Sequence, residues 1–191
     1  MIFSSYVPQD MGALITMLGG PNTFVERLKF LHTSGLLYIG DEQAFLPTFQ
    51  FHYGGRPGLS SFFAHSYIPS QFNTSNAGIP GNDDSGAMGS FSTLAMMGLW
   101  PVSGQDVYLI IPPFFPEVNV TNPVTGKIAT IRNVGFDPSY TAIYIQSATL
   151  DGRSYTKNWI THDFWRHGGV LELHLGLNES SWGTRDEDLP P

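Results

Sequence analysis

The sequence contains no cysteine. That excludes disulfides, thiolate nucleophiles and cysteine metal sites, and by itself says nothing about the redox compartment. Charge is scarce: Asp, Glu, Lys and Arg make up 13% of the 191 residues, where about a quarter is usual. Acidic residues outnumber Lys and Arg 16 to 9, and no basic run occurs. This argues against nucleic acid or an anionic membrane as partner. No apolar run approaches membrane-spanning length. The opening residues, MIFSSYVPQD, lack the charged start and extended apolar stretch of a signal peptide. Three glycosylation sequons, Asn73-Thr74-Ser75, Asn119-Val120-Thr121 and Asn178-Glu179-Ser180, nevertheless lean toward a secretory route.

What is present is apolar and rich in turns. Hydrophobic residues reach 41% and aromatics 14%, beside 21 Gly and 14 Pro. Residues 11–18 form a short apolar helix ended by Gly19-Gly20. Pro21-Asn22-Thr23 starts a second helix with Phe24, Val25, Leu28 and Leu31 on one face, closed by Gly35. A third is expected over 41–53, kinked or started late by Pro47, and a fourth from Arg56-Pro57 to about Tyr67. The fifth covers 84–97 and stops at Gly98 and Pro101. Near residue 104 the character changes. Segments 107–111, 117–120, 128–134, 143–150 and 170–175 are short and rich in Val, Ile, Thr and Tyr. Turn signals such as Pro112-Pro113, Asn122-Pro123 and Asp151-Gly152 separate them, so antiparallel strands are expected. The class is therefore α+β: a helical portion over 1–103, an antiparallel β region over 104–184 and a polar, fraying tail over 185–191. Such helices and one small sheet bury little by themselves, so the chain is expected to be part of a longer protein.

The stretch Gly78–Gly86, GIPGNDDSG, places Asp83 and Asp84 in a Gly/Pro-rich turn before an apolar helix. A loop exposes carboxylates there, and the helix N-terminus stabilises their charge. The same position suits a plain N-cap. His162 and His167, with Asp163 between them, invite a metal reading, but no His-Glu-x-x-His or cysteine pair supports one. Trp100, Trp159, Trp165 and Trp182 suit either sugar stacking or the core. His52 and Arg56 flank Tyr53-Gly54-Gly55, where they can line a pocket or cap a helix.

Four pieces together carry a resemblance: YVPQD with Leu18-Gly19-Gly20; Gly40-Asp41-Glu42-Gln43 with HYGGRP; GIPGNDDSGAM with MGLWP; and YIQSA with Asp151-Gly152, Trp159-Ile160-Thr161-His162 and Gly168-Gly169. Their order and spacing resemble the C-terminal part of glycoside hydrolase family 92, the calcium-dependent α-mannosidases, in wording nearest to fungal members. The resemblance implies a helical half belonging to an (α/α)6 toroid, with an N-terminal β-sandwich domain outside this chain. It implies an inverting exo-α-mannosidase acting on terminal α-linked mannose of oligosaccharides or glycoproteins, with calcium helping to hold and distort the sugar. By position Asp84 matches the general base and Asp83 is its neighbour; the catalytic residues are expected to be Asp84 and Asp83, with the helper to the base coming from Asn82 or Asp83. Asn82 stands where many members have an Asp that helps hold the water. Glu42 matches the Glu of an Asn-Glu-Pro piece, written here Asp41-Glu42-Gln43. The resemblance assigns Asp41 and Glu42 to substrate, with Glu42 also a calcium ligand.

Inversion needs two carboxyl groups roughly 6.5–9.5 Å apart. Adjacent Asp83 and Asp84 cannot be that pair. None of Glu26, Glu42, Glu117, Glu172, Glu179 and Glu187 sits in a setting like the family's acid, which is implied to lie upstream. Alone, the chain is expected to show little turnover. The competing readings are a non-catalytic fragment and a β-rich carbohydrate-binding module.

Overall fold

Helix α2 (Pro21–Thr33) forms where Pro21 pre-sets the backbone of the first turn and Phe24, Val25, Leu28 and Leu31 fall on one buried stripe. The computed structural model describes residues 2–191. Before α2, helix α1 (Met11–Met17) is capped by Asp10, whose carboxylate accepts from the Ala13 N–H at 2.8 Å. The expected third helix is broken into a 3-10 turn (Glu42–Ala44), α3 (Phe45–Phe49) and a second 3-10 turn (Gln50–His52). Pro47 lies in the first turn of α3, where its missing N–H costs nothing. Helix α4 (Pro57–Gln71) runs through the middle, burying Ser60, Ala64, His65 and Ile68. It packs on α3, on α5 (Ala87–Met97) and on strand β5 (Tyr144–Leu150).

Strands β1 (Leu99–Pro101), β2 (Tyr108–Ile110) and β7 (Trp159–Ile160) form an antiparallel sheet in the order β1-β2-β7. Because side chains alternate along a strand, Leu109 enters the core of the helical half while Ile110 enters the core of the other half. This small sheet therefore lies between two cores. The first is aromatic, with Trp100 stacked on Phe49 at 4.7 Å and Phe45 on Phe91 at 4.5 Å. The second gathers Ile131, Ala148, Leu171, Leu173 and Trp182. It packs on a five-stranded sheet containing β3 (Glu117–Thr121), β4 (Ile128–Val134), β6 (Arg153–Ser154) and β8 (Gly169–Gly176), in the order β3-β4-β8-β5-β6.

Two expectations are corrected. The larger sheet is mixed, because β4 and β8 pair in parallel. Parallel neighbours need a long crossover, and here it passes through β5 to β7 and the short helix α6 (Asp163–His167). The tail does not fray. Asp188 is buried and takes charged hydrogen bonds from Arg185, while the Asn158 N–H donates to Asp188 O and Trp159 Nε1 donates to Leu189 O. Burial, the largest influence on the Asp188 carboxyl, pushes its pKa up, but bonds from Arg185 and Thr156 and the charges of Arg185 and Lys157 leave it below the usual range.

The two halves are sewn together inside. His52 is fully buried and its Nε2 donates to Ile110 O at 2.9 Å. Asn158 Nδ2 donates to His52 O and Gly183 O, and Ile110 N–H donates to Asn158 O.

Candidate active site

Helix α5 begins at Ala87, three residues later than its sequence suggests, because Asp84, Ser85 and Gly86 have φ of 43°, 66° and 99°. Left-handed backbone cannot continue a right-handed helix, and two of these residues are not glycine. Such positions cost on the order of 1 kcal/mol each and cluster where function demands them. The turn is tied down by Asp83, whose carbonyl accepts from the N–H groups of Gly86 (3.0 Å) and Ala87 (2.7 Å). The Asp83 carboxylate accepts from the Gly89 N–H at 3.1 Å, inside the first turn of α5. The two neighbouring acids thus differ. Asp83 is engaged by the helix terminus; Asp84 is exposed, without a hydrogen-bond or ion-pair partner among the described residues.

The turn is also seated. Gly81 N–H donates to the Tyr38 hydroxyl at 3.0 Å, and a Cβ at Gly81 would fall 2.1 Å from Gly40 O. Only glycine, with φ of 65°, permits that approach. The contact joins the two loops at Gly81 and Gly40, the residues immediately before Asn82 and Asp41. Asn82 and Asp41 are exposed and Glu42 is half-buried. Sequence reasoning missed Tyr38 and the Gly40–Gly81 contact; the signal was a tyrosine two residues before the Gly-Asp-Glu turn.

Glu42 brings a carboxylate to a cavity of about 270 Å³ lined also by Tyr6, Phe45, Ser90, Phe91 and Trp100. Asp83 and Asp84 do not line it; they stand at the N-terminal end of α5, whose next turns do. An aromatic wall with one carboxylate suits a hexose, whose apolar face stacks and whose hydroxyls donate. Other expected pocket residues lie elsewhere. His52 belongs to the interior, and Arg56 makes a forked pair with Glu179 at 2.9–3.1 Å. Trp182 is buried with Nε1 donating to Tyr155 O, and Trp159 holds the tail. His162 Nδ1 meets the Tyr108 hydroxyl at 2.8 Å, and His167 lies 3.7 Å from Asp163. Among the described residues, no three His, Cys, Asp or Glu side chains gather as a metal site. Calcium takes six to eight oxygens, carbonyls and waters among them, so carboxylates would be only part of any such site here.

The catalytic-domain profile of glycosyl hydrolase family 92 matches residues 1–177. A fungal protein of Arthroderma benhamiae, described as an uncharacterized secreted glycosidase, is 60% identical over 186 residues, which is 97% of this chain and 24% of that protein. The family GH92 α-mannosidase BT3965 of Bacteroides thetaiotaomicron superposes on the whole chain with a TM-score of 0.91, at 24% identity and over 26% of its own length. The inverting mannosidase BT2199 of the same organism superposes with a TM-score of 0.87, at 22% identity, over 98% of this chain and 28% of its own. The chain thus spans about a quarter of the length of these relatives. Its sequence and its fold agree: this chain belongs to glycosyl hydrolase family 92.

Proposed function

We propose that the chain is the base-bearing part of an inverting exo-α-mannosidase. The observation that carries this is Asp84: an exposed carboxylate free of partners among the described residues, held in a left-handed turn just ahead of helix α5, whose first turns line an aromatic cavity, in a loop whose Gly81 packs on Gly40. In this reading Asp84 takes a proton from water as its oxygen attacks the anomeric carbon of a terminal mannose. Asn82 orients that water. Asp83 is a positioning residue, anchoring the turn to α5. Glu42 and Asp41 meet the substrate from the facing turn, and Trp100 and Tyr6 stack on sugar. The general acid comes from outside this chain, which leaves the chain alone with little turnover. The family relatives support the substrate class: BT3965 has also been solved with mannoimidazole, and BT2199 is an inverting mannosidase.

The cofactor implied by the family is calcium. In this reading Glu42 would supply one carboxylate ligand, nearby backbone carbonyls would add others, and the ion would help to hold and distort the sugar. The exposed Met17, Phe30 and Leu36 are consistent with further polypeptide covering the helical half. The secreted relative and the three sequons support a secretory route.

The test is hydrolysis of an aryl α-mannoside by the full-length protein, followed by NMR of the first sugar released. The proposal expects the β-anomer, and loss of turnover when calcium is chelated. Release of α-mannose first, or undiminished turnover by the isolated chain, would overturn it.

A further inference from the structure

Two features are not used by the proposed chemistry: three sequons, of which the first, at Asn73, packs on Gly78 ahead of the Asp83-Asp84 turn, and one open sheet edge. All three sequon asparagines are exposed, whereas the interior Asn133 and Asn158, whose amides are committed within the fold, carry no sequon. Asn73 Oδ1 accepts from the Ser75 N–H at 3.0 Å, and its Nδ2 has no partner among the described residues. The Asn178 side chain likewise has none. Asn119 donates from Nδ2 to Glu117 at 2.7 Å and accepts from Thr130 at 2.6 Å. N-glycosylation replaces one of the two Nδ2 hydrogens, so both Asn119 bonds are compatible with a glycan.

Asn119 is the central residue of β3, the outermost strand on its side of the five-stranded sheet. Among the described residues nothing pairs with the outer edge of β3. Val118 and Val120 turn to the core face, opposite Ile131 and Ala129, while Asn119 lies on the other face, and the following hairpin exposes Val124 (90%) and Ile128 (52%). An unpaired edge with apolar neighbours is a template for pairing with another chain.

We propose that the protein is N-glycosylated at Asn73, Asn119 and Asn178, and that the Asn119 glycan covers the open edge of β3. The inference rests on the secretory route proposed above. In each transfer the Asn Nδ2 bonds to the anomeric carbon of a lipid-pyrophosphate-linked oligosaccharide. The carbon–oxygen bond to the pyrophosphate breaks, the lipid pyrophosphate leaves with the electron pair, and the amide nitrogen loses one proton.

The experiment is secretion of the full-length protein from a eukaryotic host, removal of glycans with a peptide N-glycosidase, and peptide mass spectrometry. The expected result is conversion of all three asparagines to aspartate. Protein recovered from the medium with unmodified Asn119 overturns the glycan alone; protein held in the cytosol overturns the route and the glycans together. For the edge, light scattering compares native protein, enzymatically deglycosylated native protein, and the N119Q and T121A variants. Self-association is expected in all three samples that lack the Asn119 glycan and not in N73Q. Deglycosylated protein that stays monodisperse overturns the role at the edge, without relying on a variant that must fold.

Discussion

Acid should unfold this chain well above the carboxylate range, because three histidines are buried as neutral rings. His32, His52 and His65 have pKa values lowered from 6.5 to about 4, chiefly by burial, against the opposing pull of backbone carbonyls. In each ring Nε2 donates to a carbonyl: Pro47 O, Ile110 O and Pro112 O respectively. Nδ1 of His32 faces the Tyr67 hydroxyl, Nδ1 of His52 faces Ser60, and Nδ1 of His65 is buried without a partner. Only His52 has a second carbonyl, Phe49 O, at 3.0 Å to welcome another proton. A histidine whose folded pKa is depressed stabilises the fold above its unfolded value, and that contribution is lost as pH falls from 6.5 toward about 4. Linkage over the interval from pH 7 to pH 5 gives a little under 2 kcal/mol lost per ring, roughly 5–6 kcal/mol for three. That rivals the whole stability of a typical domain, about 5–15 kcal/mol. Urea denaturation at a series of pH values measures it, and His65→Gln should remove about a third of the slope. Stability flat to within about 1 kcal/mol between those pH values would refute the reasoning.

Three other predictions follow from packing. Asn158→Ala leaves Gly183 O without its side-chain partner, takes from His52 O one of its two hydrogen bonds (the other comes from the Gly55 N–H) and hollows the interior, so it should cost about 2–4 kcal/mol, read as a shift of the urea midpoint. Gly81→Ala drives a methyl into Gly40 O at a φ of 65°. It should lower turnover of the full-length protein by about 100-fold through displacement of the Asp84 turn, while calorimetry shows the fold retained. Asp188→Ala removes the buried partner of Arg185, leaving only its exposed pair with Glu187, and unpins the C-terminal segment, so trypsin should cut after Arg185 much faster than in the parent.

Much of this architecture was readable from punctuation. The Gly19-Gly20, Gly35 and Gly98 stops and the Pro21 and Pro57 starts bounded helices that the structure places within a few residues. The parallel β4–β8 pair was not readable, since strand sequences record alternation and turns but not which distant neighbour a strand meets. The tail misled for a related reason: DEDLPP reads as solvated, yet one of its carboxylates is drawn inside by Arg185 and Thr156. At the site, the Asp83-Asp84 pair and the Asp41-Glu42 turn stood out as chemistry-bearing residues. The left-handed start that separates Asp84 from the helix, and the Gly40–Gly81 contact that brings the turns together, are backbone features. His52 illustrates the converse, a residue type suited to catalysis that the fold uses to join its halves.

The most direct measurement compares Asp84→Asn and Asp83→Asn in the full-length protein on an aryl α-mannoside, with circular dichroism to confirm both folds. Asp84→Asn should lower kcat by about 10²–10⁴, while Asp83→Asn, which keeps an acceptor for the Gly89 N–H, should stay within about tenfold of the parent. A folded Asp84→Asn variant with undiminished kcat, or the opposite ranking of the two, would contradict the assignment of the base.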